Sequence, residues 1–413
     1  MTSMSEPTVK FDAWPGQAVR RGGGSPPGGE TDAHLRGAHD PAAPLVDPRL
    51  LEGSGKILFI AHLALGDFTY MKACFEAFAH AYPQLKLHLW VDERRRTRRA
   101  SEWETLRRYS LYDWLDACPY FDRVYKETYS PALLRRSIAA ARAEAYPVVV
   151  SLAMLERHRY AVLARKISPQ GFVVGQTKRV RPYDLYKRLC YRKLDAGIPA
   201  YAPSGAAGQH ISDIYAGWFA RLFGLRIPPA ARFPRLAIPA RWRDWARERC
   251  AQWGLGRAAG AAGPLVFLNA YSKSRERSWP LERVIALVEA MQARAQWREA
   301  GFIVNVVPEE LAHARKLFAG RGPARTALFS AEDNFFQLPA MLALCDLVVT
   351  VETAVMHLAN AVHVPVIALM RRKNPEWAPI DRDNSTVVTV AGRDDWVEAI
   401  GVDAVLAALE RRA

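Results

Sequence analysis

The sequence predicts an α/β protein of two similar halves, each a doubly wound, largely parallel sheet, with a cleft between them. Three observations predict it. Strand-like apolar runs alternate with helical ones from Gly55 onward. The pattern restarts after a proline-rich stretch, "LRIPPAARFPRLAIPAR" (225–241). The strand runs are apolar nearly throughout, as expected of sheets covered on both faces.

Size and charge bound what such a chain does. Its 413 residues are 50% hydrophobic and 24% charged, the profile of a globular protein of about two domains. Five cysteines are scattered with no CxxC pair, so neither a zinc knuckle nor a disulfide framework is indicated, and reduced thiols in a cytosolic compartment are expected. The formal net charge is +15. Residues 1–54 hold five Lys/Arg against seven Asp/Glu, so the remainder carries +17. A body of that charge favours phosphorylated ligands, an acidic membrane surface or nucleic acid.

Residues 1–54 are rich in Gly and Pro ("RRGGGSPPGGE") with no apolar run long enough for a signal peptide, and are expected to form a disordered tail. "GKILFIAHLALGD" (55–67) reads as a strand ending in a Gly-Asp turn. "FTYMKACFEAFAHAYP" reads as a helix stopped by Pro83, and "LKLHLWV" as the second strand. "YPVVVSLAML" (146–155) and "GFVVGQ" (171–176) are further strand candidates. The proline-rich stretch divides a domain over 55–235 from one over 236–413. In the second, "PLVFLNA" and "GFIVNVV" are strands flanking the helical "PLERVIALVEAMQARA". "STVVTV" and a last helix, "GVDAVLAALERR", end the chain.

One run tests the soluble reading. From Thr353 to Met370 there is no Lys, Arg, Asp or Glu. His357, Asn360 and His363 interrupt it, and Pro365 would break a continuous helix. Strand, helix, strand fits better: "CDLVVTV", "TAVMHLANAV" and "VPVIALM" form a βαβ unit, and no membrane span is required.

Several constellations could carry chemistry. Asp67 sits where the first strand gives way to a helix, either as an N-cap or as a general base at the mouth of the cleft. Glu352 and Thr353 occupy the corresponding turn of the second half, with His357 one helical turn after Thr353 on the same face. That helix start is either a capped core element or a diphosphate site. Lys273, Arg275 and Arg277 lie in a loop between strand and helix, either solvated or neutralising a phosphate. "ERRRTRR" (93–99) is either a solvated face or an attractor of a polyanionic acceptor or acidic lipid headgroups. "DRD" (381–383) reads as turn chemistry rather than a metal site. There is no GxGxxG after the first strand, no HExxH and no GxSxG, so dinucleotide binding, zincin and α/β-hydrolase readings lack their motifs. No RNA-reading motif supports a nucleic-acid partner.

These pieces resemble the ADP-heptose:lipopolysaccharide heptosyltransferases, glycosyltransferase family 9. "ILFIAHLALGDFTYMKACFEAFAHAYPQLKLHLWV" is similar to the family's opening strand, Gly-Asp turn and helix. "GQHISDIYAGWFARLFGL" is similar to its mid-chain His-containing helix, and "SRERSWPLERVIALVEAM" to its Lys-x-Trp-Pro segment. "VVTVETAVMHLANAVHVPVIALM" resembles its Asp-Thr-Gly, His-Leu-Ala helix and following strand, and "EWAPI" its Trp-x-Pro. The resemblance spans about residues 55–410 and implies the GT-B fold, two Rossmann-like domains facing a central cleft.

It further implies an inverting glycosyltransferase, without metal or cofactor, taking an ADP-sugar as substrate. Asp67 matches the catalytic base. Lys273, Arg277, Glu352, Thr353, Ala354 and His357 fall around the donor. Arg94, Arg95 and Arg96 are assigned to the acceptor, an anionic glycolipid of the lipopolysaccharide core. Arg277 stands for the family's Lys, Glu352 for its Asp and Ala354 for its Gly. The implied location is the cytoplasm, with peripheral contact at the inner membrane. A sugar-nucleotide-binding protein with another donor, or without transfer activity, is the second reading.

Overall fold

The computed structural model describes residues 43–92, 95–201, 208–256 and 263–412. Two six-stranded sheets are built from strands β1 (Gly55–Ala61), β2 (Leu85–Val91), β3 (Arg123–Tyr125), β4 (Val148–Ser151), β5 (Phe172–Thr177), β6 (Ala196–Pro199), β7 (Leu265–Asn269), β8 (Gly301–Asn305), β9 (Thr326–Phe329), β10 (Leu347–Val351), β11 (Val366–Met370) and β12 (Ser385–Thr389). Their orders are β3-β2-β1-β4-β5-β6 and β12-β11-β10-β7-β8-β9. Every pairing is parallel. Read from β9, the second order repeats the first. Each sheet therefore reverses direction once, between β1 and β4 and between β7 and β10, where ligands bind in such folds.

Strand periodicity places the core. In β1, Ile57 and Phe59 face one apolar cluster while Leu58 and Ile60 face another, as alternation with a period of two requires. Phe59 packs against Phe75 and Phe78 of the helix Leu65–Ala81, with both ring centroids at 5.3 Å. It also stacks on Phe219 of the helix Ile211–Phe223 at 5.8 Å. The same cluster continues through the helices Ala240–Gln252 and Ala354–Ala361, so one core runs under both halves.

Further ties cross between the halves. Trp114 stacks on Phe335 at 4.7 Å, and the Asp113 carboxylate accepts Phe335 N–H at 2.8 Å.

The stretch expected to be tail needs a correction. Residues 1–42 lie outside the described residues, but Leu45, Val46 and Leu51 are buried. Leu45 and Val46 donate to the carbonyls of Arg221 and Leu222, both at 3.0 Å. These carbonyls end the helix Ile211–Phe223 and have no partner within it. The helix stops at Gly224, whose φ of 69° suits glycine. A Cβ there would sit 3.2 Å from Pro44 Cγ, so the incoming segment packs tightly over the turn. Gly/Pro composition marks a chain without a core of its own; it does not show that the chain can complete a neighbour's.

Among the described residues no helix is long and apolar enough to cross a membrane. The apolar run from Thr353 to Met370 is the helix Ala354–Ala361 followed by β11.

Candidate active site

The loop after β1 brings Asp67 to the cleft. Asp67 is the third residue of its helix rather than the N-cap, which is Ala64. Its Oδ2 accepts the Ala64 N–H at 3.1 Å, satisfying one donor of the helix start. Its Oδ1 accepts the Tyr215 O–H at 2.7 Å. Burial raises the Asp67 pKa above the usual carboxylate range, while the Tyr215 bond, the Ala64 N–H and the Lys273 charge pull it down. Each oxygen accepts one of these bonds and keeps acceptor capacity for a ligand proton.

Lys273 comes from the other half, in the loop after β7. Its ammonium lies 5.9 Å from the centre of the Tyr109 ring. Arg95 lies over the same ring at 5.8 Å, and Tyr109 donates to Leu63 O at 3.0 Å. Tyr109 thus joins the basic loop after β2 to the Asp67 loop and to the opposite wall. Among the described residues, neither Lys273 nor the half-buried Arg277 has a carboxylate partner, so both charges are available to an anion.

The helix Ala354–Ala361 starts where β10 ends. Thr353 is its N-cap, accepting Val355 N–H at 3.1 Å; the helix start still carries positive potential at the rim. Ala354 is half-buried beside it. One turn on, His357 is buried and bonds through Nδ1 to the Tyr70 hydroxyl at 2.8 Å. Burial, with His210 adding to it, lowers its pKa to about 3, so the imidazole is neutral. A Cβ on Gly66 would stand 3.4 Å from His357 Cδ2. His357 therefore lies directly against the Gly-Asp turn, as a link between the halves. His210 makes a parallel link: its Nε2–H donates to Ala378 O at 3.0 Å while Nδ1 accepts Ser212 N–H at 3.1 Å. Its pKa is lowered to about 4, chiefly by burial.

Glu352 is buried and paired with the buried Arg371 at the ends of β10 and β11. Its Oε2 is 3.5 Å from Arg371 Nε and accepts Arg371 N–H at 3.4 Å. Arg371 Nη1 donates to Glu276 at 2.5 Å. Because Glu276 sits between Arg275 and Arg277, the network pins the cationic loop to the ends of β10 and β11.

Of the acceptor candidates, Arg94 lies outside the described residues. Arg95 reaches Tyr109, as above. Arg96 is held internally, donating to Thr128 O at 2.9 Å and to Asp92 Oδ1 at 2.7 Å. Asp381 accepts Asn384 N–H at 3.2 Å, the local turn chemistry read from "DRD".

Two features escaped the sequence reading. One is Tyr215, whose helix carries no local sign that it reaches Asp67. The other is a cavity of about 410 Å³ between the loops after β7 and β8, lined by Tyr271, Arg275, Trp279, Glu309, Glu310 and His313 among others. The only available signal for it was the adjacent "PEE" after a strand's end.

Known proteins agree with this geometry at the level of the fold. Residues 239–395 match the family model of glycosyltransferase family 9 (heptosyltransferase). No curated protein sequence matches the chain. Among solved structures, a glycosyl transferase family 9 protein from Veillonella parvula has a TM-score of 0.65 at 18% identity, covering 87% of this chain and 97% of its own. The E. coli ADP-heptose lipopolysaccharide heptosyltransferase II has 0.62 at 15%, covering 86% and 98%. The E. coli heptosyltransferase WaaC with ADP-2-deoxy-2-fluoro heptose has 0.57 at 17%, covering 87% and 100%. The chain has the two-domain α/β fold of these GT-B structures.

Proposed function

We propose that this chain is an inverting glycosyltransferase that moves a sugar, of the heptose type, from an ADP-sugar to a hydroxyl of an anionic glycolipid in the cytoplasm. What supports this most is the placement of Asp67 on one wall with Lys273 and the Thr353 helix start on the other. In the proposed step the acceptor oxygen bonds to the anomeric carbon from the face opposite the diphosphate. Asp67 takes the hydroxyl proton, and the bond to the diphosphate breaks with its electron pair leaving on phosphate oxygen. Lys273, Arg277 and the helix start meet that charge. The cavity after β7 and β8 takes the nucleoside: its volume suits a small ligand, and Glu309 and Glu310 offer the acceptors that ribose hydroxyls need. Arg95, on the Tyr109 ring, faces the acceptor side. No metal ion is required by this scheme.

The test is thermal unfolding with ADP, ADP-sugars and UDP-sugars, alongside a product assay. A nucleotide at a hundred times its Kd stabilises the fold by ~2.7 kcal/mol, and ADP-sugars are expected to give the largest shift. If no sugar nucleotide shifts the transition, the reading is wrong. A shift without product in the presence of glycolipid acceptors supports the second reading, a binding protein without transfer.

A pH profile tests Tyr215 as the residue that positions and tunes the base. Asp67 must be ionised to act, so activity falls as pH drops through its raised pKa. Tyr215→Phe removes a bond that stabilises the carboxylate, and the pKa rises further. The acid limb of kcat/KM is expected to move to higher pH, with a smaller change on the alkaline plateau. An unmoved limb would separate Tyr215 from the base.

A further inference from the structure

A basic, aromatic shelf beside the cleft takes no part in the site above. It begins where β5 ends, next to the loop after β4: Arg157 donates both to Met154 O, at 2.8 Å, and to Thr177 O, at 3.0 Å. Residues 178–193 hold seven Lys/Arg against a single acidic residue, Asp184. Within them the short helix Leu185–Tyr191 buries Cys190 and Tyr191. Its other side is bare: Leu185 is 63% exposed, Tyr186 62% and Leu189 59%, with Tyr183 at 73% just before. Leu185 and Leu189 are four residues apart, so they share a face. His158 of the adjacent helix Arg157–Ile167 sets its ring 5.7 Å from Tyr186, and Val162, one turn further on, is also exposed. Eight large hydrophobic residues are exposed among the described residues, and these five are among them. Clustered exposure of this kind marks an interaction surface, whereas single exposed leucines do not.

We propose that this shelf docks on a lipid bilayer surface bearing anionic headgroups. Leu185, Tyr186 and Leu189 enter the boundary between headgroups and acyl chains, where tyrosine and leucine are both accommodated. The surrounding cations, Arg179, Arg181 and Arg188 among them, meet the lipid phosphates. Neither competing occupant satisfies both halves of the patch. A second copy of this chain would bring the same positive charge against itself. Nucleic acid would use the cations and leave the leucines in water. A bilayer takes both, and docking there turns the β4–β5 edge of the cleft toward a lipid-borne acceptor. The inference goes beyond the transfer reading, and its test uses no sugar donor.

The full chain is sedimented with vesicles of phosphatidylcholine alone and of phosphatidylcholine mixed with phosphatidylglycerol. Binding is expected to the mixed vesicles only, and to weaken with salt. The combined Leu185→Ser, Tyr186→Ser, Leu189→Ser variant and the combined Arg179→Glu, Arg181→Glu variant should each lower binding by about tenfold or more. Their thermal unfolding should match wild type, because all five side chains face solvent. Absence of wild-type binding to mixed vesicles overturns the proposal, as does binding unchanged in either variant. A serine variant that loses self-association while keeping vesicle binding points to a second copy and also overturns it. So does an equal affinity of wild type for DNA that both variants lose in step with vesicle binding.

Discussion

Asp67→Asn lowers turnover by about 10²–10⁴-fold, the contribution of a positioned general base, and leaves nucleotide affinity close to wild type. The substitution keeps the shape of the side chain and an acceptor for the Tyr215 hydroxyl, which now holds Oδ1 at 2.7 Å. In the proposed reaction, what it removes is the capacity to take a proton from the acceptor hydroxyl. Burial favours that capacity by raising the carboxyl's basicity, and the Tyr215 and Ala64 donors work against that rise. Single-turnover rates and nucleotide affinity, measured on the same preparation, separate chemistry from binding. Turnover within a few-fold of wild type would take Asp67 out of the reaction and leave it as a helix-start residue bonding Ala64.

Arg371→Leu destabilises the second half by about 3–5 kcal/mol, the cost of leaving one member of a buried ion pair unpaired. Glu352 and Arg371 are both buried, so water cannot replace the lost partner. Replacing both, as Glu352→Gln with Arg371→Leu, should recover much of the loss, since a neutral pair carries no uncompensated charge. Denaturant unfolding of the two single variants and the double variant gives the coupling. A functional effect accompanies the structural one. Arg371 also holds Glu276 at 2.5 Å, so its loss frees the loop that carries Lys273 and Arg277, and nucleotide affinity should fall as well. A loss of stability below about 1 kcal/mol, the range of a surface pair, would mean that Glu352 is solvated and able to face a ligand.

That network shows where sequence reading reaches its limit. The position of Glu352 in a strand-to-helix turn was legible, because an apolar run followed by Glu-Thr and an Ala-rich segment is a local signal. Its partner was not. Whether the residue stays free for a ligand or is taken up by a partner depends on what packs beside it, and here it holds Arg371, nineteen residues on. The edge strands tell a similar story. β3, β6 and β9 were not read from the sequence. They are only three or four residues long and lie at sheet edges, where no long apolar run is demanded. The central strands β1, β2, β7, β8, β10 and β11, covered on both faces, announced themselves.

The amino-acid order by itself determined the two-sheet α/β plan, the turns that carry Asp67 and Thr353, and the cationic loop of Lys273 and Arg277. All of these follow from periodicity and turn chemistry within a dozen or so neighbouring residues. Tertiary structure decided which side chains meet. Tyr215 reaches Asp67 across 148 residues of chain, and Tyr70 reaches His357 across 287. Leu45, Val46 and Leu51 join the core, where Leu45 and Val46 also donate to carbonyls at the end of the helix Ile211–Phe223. Such contacts depend on how two sheets and their covering helices settle against one another, and no local pattern of residues encodes that settlement.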